Sequence, residues 1–200
     1  VRMRRCRAWA GVFAVVACVA AGHAMAVETE GWVELFNGKD LANWDVLGCE
    51  AEVQDGALLI KSGNGLVQTK EQFGNFVLDV EWKALKADRW DSGIYFRYTE
   101  VPKGRPWPPR YQANLAKGIE GNVAELKGAS SKGLVKNGEW NRFVLTVQGT
   151  KASLEINSKP AWEADGVQVP KGFLSLQAEV PQGGQFLFRN VRIKALPESK

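Results

Sequence analysis

Four short stretches of the chain carry hydrogen-bonding side chains at every second position. They are Asp79 and Glu81, then Tyr95 and Arg97, then Gln112 and Asn114, then Ser175, Gln177 and Glu179. Amides and carboxylates grip paired hydroxyls with two bonds at once, and a guanidinium adds a rigid fork of donors. That is the inventory needed to hold a sugar. The plainer reading is a solvated sheet face on which Arg and Glu pair across strands. Beside these stretches lies Asp88–Arg110, with Trp90, Trp107 and the stiff run Arg105-Pro-Trp-Pro-Pro-Arg110. Prolines cannot continue a central strand, so this segment is expected as a loop. A Trp on such a loop either stacks on a sugar ring or folds back onto a small core of its own.

Strands must position these residues, because the alternation has period two. Phe76, Leu78, Val80 and Trp82 share the face opposite Asp79 and Glu81. Ile94, Phe96 and Tyr98 oppose Tyr95 and Arg97, and Leu174 and Leu176 oppose Ser175, Gln177 and Glu179. Arg142–Gln148 and Ala152–Asn157 alternate likewise. In Phe186–Lys194 the parity changes near Arg189-Asn190, as a β-bulge would require. Turn pairs such as Asn37-Gly38, Asp55-Gly56, Asn137-Gly138 and Asp165-Gly166 break the chain too often for ordinary helices. Thr69–Phe73 alone has room for one helical turn. The expectation is an all-β domain, a two-sheet antiparallel sandwich or jelly roll, with Phe76, Leu78, Val80, Ile94, Phe96, Leu145, Leu174 and Leu176 between the sheets.

The 200 residues hold 26 Lys and Arg against 22 Asp and Glu, and the excess is local. Arg2, Arg4, Arg5 and Arg7 precede an apolar run, Ala8–Ala21, and a small-residue exit, Ala24-Met25-Ala26. This is the pattern of a secretory signal over residues 1–26. An alternative processing point is Cys18, in a lipobox-like Val15-Val16-Ala17-Cys18, which would leave a lipid anchor. Residues 27–200 then form one exported domain, periplasmic or extracellular. That domain carries no net charge and no nucleic-acid footprint, and no spanning segment survives cleavage. The lone His23, with Cys6 and Cys18, departs with the leader. Cys49 remains as the one thiol, so disulfide frameworks, Ser-His-Asp sites and His- or multi-Cys zinc sites are excluded. Chemistry falls to carboxylates, amides, hydroxyls, Arg, Lys and aromatics.

Several motifs resemble those of the 3-keto-disaccharide hydrolase domain family. They are WVELFNGKDLANW from Trp32 to Trp44, GNFVLDVEW from Gly74 to Trp82, and DSGIYFR from Asp91 to Arg97. GEWN from Gly138, GFLSLQAE from Gly172 to Glu179, and FRNVRI from Phe188 to Ile193 follow in the same order. The resemblance implies a concanavalin-like jelly roll in exported bacterial proteins, with a ligand groove on the concave sheet. The chain departs from the family pattern in three places. Asp91 replaces an Asn, Tyr111-Gln-Ala-Asn114 replaces Tyr-Glu-x-Gln, and Gln177-Ala-Glu179 replaces Gln-Asp-His.

A 3-keto sugar suits a site without imidazole. The ketone acidifies the C2–H, so the glycosidic bond can break by proton removal and elimination. The resemblance and the strand faces together make Glu179 and Glu81 the candidate base and acid. Arg97, Gln112 and Asn114 would hold the developing oxyanion. Asp79, Trp90, Asp91, Tyr95, Trp107 and Gln177 complete the expected groove. No cofactor is called for, and a divalent metal is left open. The alternative is a non-catalytic glycan-binding module on the same jelly-roll groove.

Overall fold

The computed structural model describes residues 31–198, so the expected leader lies outside the described residues. The alternating segments become strands β1 (Trp32–Glu34), β2 (Trp44–Gln54), β3 (Ala57–Phe73), β4 (Phe76–Ala84), β5 (Gly93–Tyr98) and β6 (Gln112–Asn114). There follow β7 (Asn141–Gln148), β8 (Lys151–Ile156), β9 (Lys159–Asp165), β10 (Gly172–Val180) and β11 (Phe186–Ala195). Thr69–Phe73 makes no helical turn. It continues β3, where Thr69 pairs with Trp44 of β2 and Phe73 with Gly172 of β10.

The strands form one curled antiparallel sheet that folds into two layers, in the order β6-β5-β10-β3-β11-β4-β7-β8-β9. Strand β3 is the corner. Its first half pairs with β11 and its second half with β10, while β2 follows it along nearly its whole length. Close packing at the bend requires glycine. A Cβ on Gly63 would sit 2.6 Å from the Cys49 backbone, and φ there is +93°. Strand β1 pairs with the far end of β11.

The expected core residues all lie buried between the layers, joined by Leu58, Ile60, Phe143, Phe186 and Phe188. Trp82 fills the centre, its ring edge-on to Phe143 at 5.5 Å. Two bulges reset the alternation. At Asn190 (φ +50°) the register with β4 slips, so Phe188 and Val191 both face inward. At Arg97 (φ +50°) the register with β10 slips as well. Tyr98 therefore joins Tyr95 on the outer face and not Phe96 in the core, contrary to the plain alternation.

Candidate functional site

The outer face of β5, β6 and β10 gathers the amides and two of the carboxylates. Tyr95 lies between Ser175 of β10 and Gln112 of β6, and Gly93 pairs with Asn114. The Gln112 side chain crosses Gly93, where an added Cβ would come within 2.1 Å of its Nε2. From there Gln112 donates to Gln177 Oε1, and Gln177 Nε2 donates to Glu179 Oε2 at 3.1 Å. Three strands thus feed one chain of hydrogen bonds ending on a carboxylate.

Asp91 is brought to the same end by the β10–β11 turn. Its N–H donates to the Gly183 carbonyl at 3.0 Å, and Gly183 N–H donates back to the Glu179 carbonyl. Gly183 allows this approach, because a Cβ there would lie 2.0 Å from the Asp91 carbonyl oxygen. Burial pushes the Glu179 carboxyl above its ordinary value, and the charge of Asp91 adds to the effect. Burial raises Asp91 too, against the pull of the Ser92 N–H. Among the described residues neither acid has an ion-pair partner.

Tyr95 is almost wholly buried. Burial first, then the charges of Glu125, Asp91 and Glu179, keep its phenol protonated far beyond the ordinary range, with Arg105 opposing. Trp107 packs into the small apolar cluster of Leu66, Tyr95 and Tyr98, and its indole N–H donates to the Ala178 carbonyl at 3.3 Å. It flanks the site with part of its ring exposed. Trp90 does not reach the rim. It is 2 % exposed in the main core, under Lys117. Glu125 escaped the sequence reading because residues 119–130 form a loop without alternation. That loop is anchored by Val123, Leu126 and Ala129, which point into the core, and by Trp162 Nε1 donating to the Gly121 carbonyl at 2.8 Å.

Asp79 and Glu81 are not part of this cluster. They project from the outer face of β4, while Leu78, Val80 and Trp82 between them fill the same core as Ile94, Phe96, Leu174 and Leu176. The core therefore separates the two groups, and the expected pairing of Glu81 with Glu179 does not form. Asp79 receives Arg142 (Nε 2.6 Å, Nη2 2.8 Å) and Arg192 (Nη2 2.8 Å). Burial works against its charge, but these hydrogen bonds hold its pKa below the usual carboxylate range. Glu81 receives Arg189 Nε at 2.7 Å and Asn190 Nδ2 at 3.0 Å. Arg97 also leaves the expected groove. The bulge turns its guanidinium into the end of the sandwich, where it donates to the carbonyls of Gly74, Gly149 and Val169 and to Asn75 Oδ1.

Among the described residues no cluster of His, Cys, Asp or Glu is arranged to hold a metal ion, and no helix is long and apolar enough to cross a membrane. The family described as 3-keto-alpha-glucoside-1,2-lyase-like domain matches residues 31–194. No curated protein sequence matches the chain. A candidate glycosyl hydrolase from Parabacteroides distasonis superposes with a TM-score of 0.68 at 24% identity, over 82% of this chain and 99% of that one. The carbohydrate-binding module CBM66 from Bacillus subtilis follows with a TM-score of 0.59 at 13% identity, over 76% and 96%. The Crh5 transglycosylase in complex with NAG reaches 0.59 at 11% identity, over 84% and 86%. At these identities the solved structures establish a shared jelly-roll fold.

Proposed function

Because the chain belongs to the 3-keto-alpha-glucoside-1,2-lyase-like domain family, we propose that it cleaves 3-keto-glycosides by elimination across C1–C2 at the Glu179 cluster. The observation that carries this reading is the contrast in carboxylate surroundings. Glu179 and Asp91 lie together without arginine partners and with raised pKa values, whereas the Asp79 and Glu81 carboxylates are occupied by guanidinium groups. A carboxylate with a raised pKa is the better base while still ionised at neutral pH.

In the proposed reaction Glu179 removes the C2 proton. The electron pair of that bond forms C1=C2, the C1–O bond breaks, and the departing oxygen takes a proton from Asp91. Asp91 thereby assumes the acid role that the sequence assigned to Glu81. Gln112, Gln177 and Tyr95 supply donors toward the ketone oxygen, where negative charge gathers during proton removal. Water can then add to the unsaturated keto sugar, which makes the net outcome a hydrolysis. The domain acts after export, following cleavage at Ala26 or lipidation at Cys18.

The rival reading, a glycan-binding module, draws on the Gln112–Gln177–Glu179 chain, which can grip hydroxyls with no proton transfer. Incubation with a 3-keto disaccharide separates the two. Elimination is expected to give an unsaturated ketone that absorbs in the ultraviolet, while the ordinary disaccharide stays intact. Saturable binding with no consumption of either sugar would decide for the module.

A further inference from the structure

The site holds one carboxylate more than the proposed chemistry uses. Glu125 stands on the loop over residues 119–130, and that loop walls a cavity of about 400 Å³ shared with Gln112 and Asn114. The cavity is therefore continuous, through Gln112 and Gln177, with the hydrogen-bond chain that ends on Glu179. Its volume is enough for one hexose ring beside a second one lying over Glu179.

A second observation points to an uncharged occupant. Tyr95 is 5 % exposed, and its hydroxyl makes no hydrogen bond among the described residues. A buried hydroxyl without a partner is costly unless an incoming group supplies one. Around that hydroxyl stand Glu125, Asp91 and Glu179, with Arg105 as the opposing charge. The balance there is three negative groups against one positive. Lys127 also lines the cavity, on the loop side. A sugar hydroxyl or ketone oxygen can accept from Tyr95 in this field, whereas an anionic group would meet like charges at close quarters.

We propose that Glu125 is a specificity-determining residue of this site, and that it makes the site select uncharged sugars over uronic acids and other anionic sugars. The inference rests on the placement of substrate at the Glu179 cluster proposed above. It does not depend on whether that substrate is cleaved.

The experiment compares a neutral glucose disaccharide with the same disaccharide carrying glucuronic acid in place of one glucose, each also as its 3-keto form. Binding is measured by calorimetry at low and high salt, and turnover is measured in parallel. The uronate is expected to bind about tenfold or more weakly at low salt, with the gap narrowing as salt screens it. Glu125→Gln should narrow the gap, Glu125→Lys should close it, and Lys127→Gln should widen it. Unchanged melting temperatures are expected for all three, since both residues are exposed. Equal affinity for the two sugars, or a gap that Glu125→Lys leaves intact, overturns the proposal while leaving the cleavage reading standing. Discrimination in binding with no cleavage does the reverse. Failure of all four sugars to bind overturns both.

Discussion

The two outer faces of the sandwich carry the same kinds of residue and do opposite things with them. On the β4–β7–β11 face the register places Asp79 beside Arg192, and Glu81 beside both Arg142 and Arg189. Two of those arginines are themselves laid over tryptophan rings, Arg189 on Trp140 at 4.0 Å and Arg192 on Trp32 at 4.6 Å. Every acid there is neutralised by a neighbour that is itself held. On the β5–β6–β10 face the neighbours of Glu179 are Asn64 in the paired strand, Gln177 two residues before it, and Asp91 across the turn. No cation completes that set. A carboxylate becomes structural or reactive according to its cross-strand partner, and one strand's own alternation does not name that partner.

The largest test of this contrast exchanges one acid on each face. Glu179→Gln should lower kcat by about 10²–10⁴-fold with little change in KM, as expected for a group acting mainly in the transition state. Glu81→Gln should leave kcat/KM near the native value. Steady-state kinetics on a 3-keto disaccharide measures both. A reversed result would move the reactive acid to the arginine-rich face.

Arg97 sharpens the comparison, since the sequence placed it in the groove and the structure makes it a clamp. Its guanidinium serves four acceptors drawn from the β3–β4 turn, the β7–β8 turn and the segment before β10. Arg97→Ala leaves those acceptors without their donor. The expected loss is about 3 kcal/mol of stability in urea unfolding, from unsatisfied groups that cost roughly 1–3 kcal/mol each when fully buried. The kcat/KM per folded molecule should hold. Loss of activity with unchanged stability would return Arg97 to the substrate.

Most of the architecture was legible in the sequence because each strand buries one face, and period-two patterning reports that directly. The bulge at Asn190 was legible too, since it moved apolar residues from one parity to the other. The bulge at Arg97 was not. Tyr98 is apolar enough to pass for core, so the slip left no mark in the pattern. The groove was half legible. Gln112, Asn114, Gln177 and Glu179 lie together because their strands adjoin, and the family resemblance implied that adjacency. Asp79 and Glu81 matched the same pattern from the other layer, and composition alone does not distinguish two outer faces. Glu125 carried no signal, because a loop residue has no period.

A smaller effect is expected at Asp79. Its side chain is 5% exposed, whereas Arg142 and Arg192 are 43% and 28% exposed. Solvent can therefore recover part of the loss on the arginine side. Asp79→Asn should cost about 2 kcal/mol in urea unfolding, below the usual cost of breaking a fully buried pair. Activity of the folded protein should be retained.

The smallest effect is one of sign, and it separates the faces by pH. Asp79 has its pKa lowered by folding, so its ionised form stabilises the fold. That contribution is complete above the ordinary value of 3.8 and is lost as pH falls through the depressed value. Glu179 has its pKa raised from 4.5, so its ionised form opposes folding. Below 4.5 the folded and unfolded chains are both protonated there, and no penalty exists. The penalty sets in as pH rises from 4.5 through the raised value, and it is complete at neutral pH. Glu179→Gln should therefore raise the melting temperature slightly at pH 7, and the gain should vanish on acidification below pH 4.5. Asp79→Asn should lower it at pH 7, with the deficit shrinking only in stronger acid. Thermal unfolding of both variants across pH 3–8 reads the two signs in one series. A Glu179→Gln variant less stable than native at pH 7 would mean that Glu179 is tied into the fold like Asp79, and the reactive face would lose its base.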